Sequence, residues 1–206
     1  MADLLEPATS ARARCRGCGE KIEKGELRFG EVLPNPFGEG DATFWFHLVC
    51  AACMRSEKIL PLLSERVPDR ARLEQVAEVG VAHPRTTRLL RAERSPSGRA
   101  RCRSCRQLIE SGAWRLSLGI FDEGRMEPIG FIHAECAASY FETGNLLGRI
   151  LLLCPELGED AREEISLRLA APPPAAGEPP LASADAAPPL AKTQGAEPRA
   201  RAKRAR

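Results

Sequence analysis

The pattern of apolar and polar positions predicts a strand pair in each half of the chain. Residues 27–33 and 42–47 are rich in large apolar and aromatic side chains, and they flank a loop that contains Pro, Asn and Gly, which is typical of a β-hairpin. In the second half, residues 114–121 and 126–133 flank the sequence Asp-Glu-Gly-Arg at 122–125, which favours a tight turn.

Apolar residues at helical spacing follow each strand pair. Residues 60–63 and 73–79 predict two short helices, and residues 146–153 and 161–169 predict two more in the second half. Pro68 and Pro155 separate the members of each pair, as expected of helix breakers.

The two halves also share residue identities, which indicates an internal repeat. The segment Arg-Ala-Arg-Cys-Arg at 12–16 recurs at 99–103, an offset of 87 residues. Ile22, Glu23, Gly25 and Arg28 recur at the same offset. The offset becomes 86 at His47 and His133, so the second copy lacks one residue of the preceding loop.

These patterns predict an α+β fold of two small modules, each a short antiparallel β-hairpin or sheet with C-terminal helices, plus a disordered tail. Eight of the 35 residues in 172–206 are Pro, eleven are Ala and none is aromatic, a composition that cannot build a core. The expected organisation is a flexible N-terminus (1–11), a first unit with its helical extension (12–82), a basic linker (83–98), a second unit with its extension (99–170) and an Ala/Pro-rich tail with a basic end (171–206).

Composition limits the cellular setting. The chain has 206 residues, of which 43% are hydrophobic and 28% charged, which suits a soluble globular protein and excludes a collagen-like one. No apolar run approaches the roughly 20 residues of a membrane helix, and the Met-Ala-Asp start lacks the features of a secretory signal. We therefore expect an intracellular protein, in which eight cysteines favour metal binding over disulfides.

Six cysteines and two histidines form two matching sets of candidate metal ligands. A Cys-x-x-Cys knuckle precedes a His-x-x-Cys by 28 residues in the first set and by 27 in the second. Three thiolates and one imidazole complete a tetrahedral shell that leaves no position for water, so a structural zinc is favoured. The sequence predicts two Zn²⁺ per chain, held by Cys15, Cys18, His47 and Cys50 and by Cys102, Cys105, His133 and Cys136. Buried reduced thiols and an iron–sulfur or redox site are the alternatives.

The remaining Cys and His residues are interpreted as structural. Cys53 and Cys154 are expected to be small buried apolar residues, although Cys53 is spaced so that it could replace Cys50 as a ligand. His83 is interpreted as an ordinary surface histidine.

Charge is segregated along the chain, although Lys plus Arg (30) nearly balances Asp plus Glu (28). Residues 85–106 contain eight arginines and one acid, Glu93. Arginines also flank both knuckles, at positions 14 and 16 and at 101 and 103. The planar guanidinium group is suited to phosphate, so this distribution favours nucleic-acid binding, with a solvated charged face as the alternative. The basic end of the tail could add affinity for a polyanion or simply aid solubility.

The first set lies in sequence that resembles the zinc fingers of poly(ADP-ribose) polymerases, and similar fingers occur at the start of a eukaryotic DNA ligase. The resemblance is carried by Arg-Cys-Arg-Gly-Cys-Gly-Glu-Lys-Ile at 14–22, Gly-Glu-Leu-Arg at 25–28, Pro-Phe-Gly at 36–38 and Trp-Phe-His at 45–47. It covers about residues 10–55 and 97–140. The second copy departs from it at Phe131, which replaces the Trp, and at 122–125, which replaces the Pro-Phe loop.

The resemblance implies binding to DNA strand breaks by structure more than by sequence. Arg28 and Arg115 match an arginine that contacts the DNA backbone, and Phe37 lies where family loops place an apolar group on exposed bases. In the second finger the corresponding candidates are Phe121, Met126 or Ile129. The full set of expected DNA contacts is Arg14, Arg16, Arg28, Phe37, Arg101, Arg103, Arg115, Phe121 and Met126.

No catalytic arrangement stands out, and only the tail follows the second unit, so we expect a non-enzymatic protein of DNA repair or damage signalling. Its partners would be DNA with strand breaks and a separate repair enzyme, in the nucleoid of a bacterium or the nucleus of a eukaryote. The alternative is a zinc-stabilised protein-interaction adaptor that does not bind DNA.

Overall fold

Two three-stranded antiparallel sheets, each followed by short helices, form the fold of the computed structural model, which describes residues 2–35, 38–122 and 124–174. Phe37 and the tail from residue 175 lie outside the described residues. Within the described ranges, no helix is both long and apolar enough to cross a membrane. The predicted α+β class with two modules is confirmed.

The first sheet has the order β1 (Leu4–Pro7), β2 (Leu27–Pro34), β3 (Asp41–His47). Phe29 and Phe46 lie opposite each other in adjacent strands, and their ring centroids are 6.1 Å apart. Both rings are fully buried, so the large aromatic residues of this hairpin form the centre of a small core. The helices that cover it are α1 (Leu48–Met54), α2 (Ser56–Ile59), a 3-10 helix (Leu60–Leu62) and α3 (Arg70–Ala82).

The second sheet has the order β4 (Leu89–Arg94), β5 (Trp114–Asp122), β6 (Arg125–His133). Leu116 and Leu118 of β5 and Ile132 of β6 are fully buried, so they form part of the core of this half. A 3-10 helix (Pro84–Arg88) precedes this sheet, and a 3-10 helix (Ala134–Cys136), α4 (Ala137–Phe141), α5 (Leu147–Leu153) and α6 (Glu159–Ala170) follow it. We call residues 4–82 the first finger and residues 89–170 the second finger.

The structural repeat begins earlier than the sequence repeat indicated. Glu6 of β1 lies opposite Arg28, and Glu93 of β4 lies opposite Arg115, again at an offset of 87 residues. The N-terminus expected to be flexible (1–11) and the segment expected to be a linker (83–98) therefore both contribute an edge strand. Both strands are short, and β4 is rich in arginine, so neither has the apolar alternation that identifies a strand in a sequence.

The two fingers pack against each other. Ring centroids of Phe121 in β5 and Phe46 in β3 are 5.2 Å apart. Leu152 and Leu153 of α5 pack against the core of the first finger, so the helical extension of the second finger also contacts the first.

Candidate metal centres and nucleic-acid interface

The first candidate metal centre joins the knuckle before β2 to the junction between β3 and α1. The ligand atoms of Cys15, Cys18, His47 and Cys50 all lie within 4.8 Å of one another. His47 Nδ1 is 3.3 Å from Cys18 Sγ and 4.0 Å from Cys50 Sγ. The other ring nitrogen, Nε2, is 3.1 Å from the carbonyl oxygen of Lys21. A hydrogen bond from Nε2–H to this carbonyl leaves Nδ1 as the atom that can bind a metal.

The second candidate centre repeats this geometry. Cys102, Cys105, His133 and Cys136 place their ligand atoms within 4.8 Å of one another. His133 Nδ1 is 3.4 Å from Cys105 Sγ, and Nε2 is 3.1 Å from the carbonyl oxygen of Leu108. The structure thus brings together both sets of four residues that the sequence predicted.

Backbone amides point at the first thiol of each knuckle. The amide of His47 donates to Cys15 Sγ at 3.4 Å, and the amide of His133 donates to Cys102 Sγ at 3.4 Å. Gly17 adds a second amide at 3.3 Å in the first finger. Such donors stabilise the negative charge of a thiolate.

The thiols and the imidazole of each cluster perturb one another's protonation. Hydrogen bonds from Cys18 and Cys50 lower the pKa of Cys15, and a hydrogen bond from Cys136 lowers the pKa of Cys102 to about 4. Hydrogen bonds with Cys15 and Cys18 raise the pKa of His47 to about 11. The first thiol of each knuckle is thus the one whose deprotonation its neighbours favour most.

Three thiols and one imidazole at these distances have the donor set of a structural zinc site. When bound, Zn²⁺ would offset two of the three thiolate charges and keep all four side chains in place. The chain has two such Cys₃His sites and binds two Zn²⁺. The four protein ligands fill a tetrahedral shell, so the site is suited to stabilising the fold.

The two remaining cysteines are fully buried away from both clusters. Burial raises the pKa of the Cys53 thiol to about 11. Cys154 Sγ accepts a hydrogen bond from the amide of Ala92 at 3.3 Å. These positions match the expectation that both residues act as small apolar groups, and His83 is half-buried.

The arginines that flank the knuckles are exposed. Arg14 donates to the carbonyl of Gly19 at 3.0 Å, and Arg103 donates to the carbonyl of Ile129 at 2.5 Å. Arg16 and Arg101 lie at the equivalent exposed positions. In the part of the chain that the structure describes, none of these four arginines is paired with a carboxylate, so their charge is available to a polyanion.

Arg28 and Arg115 are in a different setting, because they are 7% and 8% exposed. Arg28 pairs with Glu6 at 2.6 Å, and its guanidinium carbon lies 3.5 Å from the ring centroid of Trp45. Arg115 pairs with Glu93 and lies 3.7 Å from the ring centroid of Phe131. DNA contacts by Arg28 and Arg115 stay predictions. The pairing of both arginines with carboxylates does not favour such contacts.

The candidate base-stacking residues of the second finger lie at the contact between the fingers. The ring centroid of Phe121 is 6.2 Å from that of Phe44 and 5.2 Å from that of Phe46. Met126 is partly buried against the same core. Base stacking by Phe121 or Met126 stays a prediction that this packing does not favour, and Phe37 lies outside the described residues.

Sequence reasoning missed three charged residues at this contact. Glu31 is 1% exposed and pairs with Arg55. Arg149 is 2% exposed and donates to the carbonyl oxygens of Cys53 and Val76. The repeat contained a signal for all three, because an apolar residue stands at each equivalent position: Leu118 for Glu31, Phe141 for Arg55 and Leu62 for Arg149.

Comparison with known proteins gives a consistent picture. Residues 6–76 match the family described as the poly(ADP-ribose) polymerase and DNA-ligase Zn-finger region. The chain is 28% identical over 129 residues to poly [ADP-ribose] polymerase 1 of Gallus gallus, which covers 54% of this chain and 13% of that protein. It is 28% identical over 152 residues to the Xenopus laevis protein of the same name (64% and 15%) and 26% identical over 195 residues to that of Danio rerio (81% and 19%).

The chain thus spans less than a fifth of the length of these relatives. The matched region contains all four residues of the first Cys₃His cluster, strands β2 and β3 and the end of β1. Residues 6–76 are therefore similar to the zinc-finger region of poly(ADP-ribose) polymerases and DNA ligases, and the second finger repeats the same Cys₃His cluster and three-stranded sheet.

Proposed function

We propose that this chain is a zinc-dependent DNA-binding protein that recognises strand breaks, such as nicks, gaps and ends, by their structure. The observation that carries the proposal is the duplicated Cys₃His cluster with exposed arginines at equivalent positions, in a chain whose first finger matches the model of this family. Guanidinium groups on phosphates supply affinity without sequence preference.

The two Cys₃His clusters support a binding role more than a catalytic one. Each cluster has four protein donors, and a closed shell offers no open position at which a metal could activate water. The protein would act in DNA repair or damage signalling, with a separate enzyme to process the break.

Comparing nicked and intact duplexes of identical sequence tests this proposal. We expect the zinc-loaded chain to bind the nicked duplex more tightly. Arg16→Ala should weaken binding to both duplexes, because it removes an exposed guanidinium beside the first cage. Arg66→Ala is the matched control, since Arg66 is an exposed arginine in the loop before α3.

Equal affinity for the two duplexes would remove the break-sensing proposal. Absence of any DNA binding by protein with both metals would instead favour an adaptor that binds other proteins.

A further inference from the structure

A cleft of about 190 Å³ lies at the contact between the two fingers. Arg55 of the first finger lines it together with Phe121 and Met126 of the second. Thr87 and Arg88, from the 3-10 helix that precedes the second sheet, line it as well. None of the described residues that line this cleft has a carboxylate, and of its two arginines Arg55 is paired with Glu31 from outside the lining.

Arg55 is held in place by residues of both fingers. Its guanidinium group pairs with the buried carboxylate of Glu31 in β2. Its guanidinium carbon also lies 4.9 Å from the ring centroid of Phe121 in β5. Because Glu31 compensates its charge, Arg55 contributes a fixed part of the cleft wall.

Arg88 contributes a charge that no described residue neutralises. It is exposed, and in the described part of the chain it has no carboxylate partner. Arg85 in the same 3-10 helix differs, because it pairs with Glu142 at 3.0 Å and donates to the carbonyl of Tyr140 at 3.3 Å. The charge of Arg85 is therefore compensated by a carboxylate, whereas that of Arg88 is not, although both arginines lie in the same short helix.

We propose that this cleft binds a phosphate group of the nucleic-acid backbone, with Arg88 as the donor and the paired Arg55 as part of the cleft wall. The inference rests on the proposed function and extends it, because both fingers line the cleft. Guanidinium groups donate bidentately to phosphate oxygens. Phe121 and Met126 provide an apolar wall beside them, against which a sugar can lie. One chain would thus engage DNA with both fingers together.

Arg88→Ala tests the cleft, with Arg85→Ala as its control. Binding of both variants and of the natural chain to a nicked duplex is measured across a salt series. Loss of one phosphate contact should lower the slope of log affinity against log salt by about 0.9, with roughly tenfold weaker binding at low salt. Arg85→Ala should leave the slope nearly unchanged. Equal slopes for Arg88→Ala and the natural chain would overturn the inference.

A second variant removes Arg55 without leaving its partner buried alone. Glu31→Leu with Arg55→Phe copies Leu118 and Phe141, the equivalent residues of the second finger. This variant removes a charge that Glu31 already compensates, so its salt slope should stay close to that of the natural chain. A slope as low as that of Arg88→Ala would overturn the assignment of the phosphate to Arg88.

Inorganic phosphate provides a test that does not depend on DNA. The side-chain Nε–H resonance of Arg88 should shift on titration with phosphate, and that of Arg85 should not. If the chain binds nicked DNA but Arg88→Ala has no effect and phosphate causes no shift, the inference fails and the proposed function stands. If phosphate shifts Arg88 but the chain binds no DNA, the proposed function fails and nucleic acid is excluded as the source of the phosphate.

Discussion

The two fingers share a metal cage and a sheet, but they differ where they contact each other. The first finger has the buried pair Glu31–Arg55, whereas the second has Leu118 and Phe141, both fully buried. The second finger has the buried Arg149 where the first has Leu62. The zinc-ligating residues are therefore the same in both fingers, whereas the charged residues at the contact between the fingers differ.

Arg149 shows how a side chain of one finger stabilises the contact between the two fingers. It donates to the carbonyl of Cys53, in the last turn of α1, and to that of Val76 in α3 at 2.7 Å. Burial lowers its pKa, since a charge removed from water is disfavoured. A second-finger residue thus satisfies backbone carbonyls of the first finger, which ties the two together.

The largest expected effect comes from removing a zinc ligand from either finger. Cys15→Ser and Cys102→Ser should each reduce the zinc content to one per chain and unfold the affected finger, because structural zinc contributes about 10–16 kcal/mol in zinc-finger peptides. Metal analysis and circular dichroism measure this effect. Cys154→Ala, a buried cysteine outside both clusters, should retain two zinc ions. Two zinc ions in Cys15→Ser or Cys102→Ser would show that the cages are misassigned.

The cages and hairpins could be predicted from the sequence because their signals are local. The spacing of Cys15 and Cys18 defines a knuckle, and the aromatic residues around Phe29 and Phe46 define strands. The short edge strands β1 and β4 could not be predicted. They have only four and six residues, and apolar and polar residues do not alternate along them, so the sequence lacks the pattern that identifies a strand.

The junction could not be predicted either, for a different reason. The packing of Phe121 on Phe44 depends on how the fingers dock, and no local pattern encodes it. The same holds for Arg28, whose burial against Glu6 and Trp45 requires the unpredicted strand β1.

The next largest effect is expected from Arg55→Ala, which leaves the Glu31 carboxylate buried without a counter-charge. The free energy of unfolding should fall by about 3 kcal/mol. This is the lower end of the range for a broken buried ion pair, and we choose it because the Arg55 side chain is 22% exposed. Urea unfolding measures this loss. Glu31→Leu with Arg55→Phe should restore most of the stability, since it recreates the apolar pair of the second finger. If this double variant is as unstable as Arg55→Ala, the comparison of the two fingers is wrong at this position.

A smaller loss is expected from Arg149→Ala. The substitution leaves the Cys53 carbonyl without its donor and opens a cavity, but it also removes a buried charge, so we expect a loss of about 2 kcal/mol in the free energy of unfolding. Hydrogen exchange should show the loss of protection in α1 and α3 as well as in α5. A loss confined to α5 would mean that Arg149 does not couple the fingers.

The smallest effect is expected from Phe131→Trp, which gives the second finger the aromatic residue of the first. Arg115 lies over Phe131 as Arg28 lies over Trp45, and tryptophan is the better partner of a cation. The free energy of unfolding should rise by less than about 1 kcal/mol in a urea titration. A decrease would show that the two aromatic sites are not equivalent.

Metal content and chelation, measured together, test the central claim most directly. Purified protein should contain two zinc ions per chain, and removal of both by a chelator should abolish the folded circular dichroism signal and DNA binding in parallel. A folded state that survives complete loss of metal, or a preparation that is folded without stoichiometric zinc, would contradict the account.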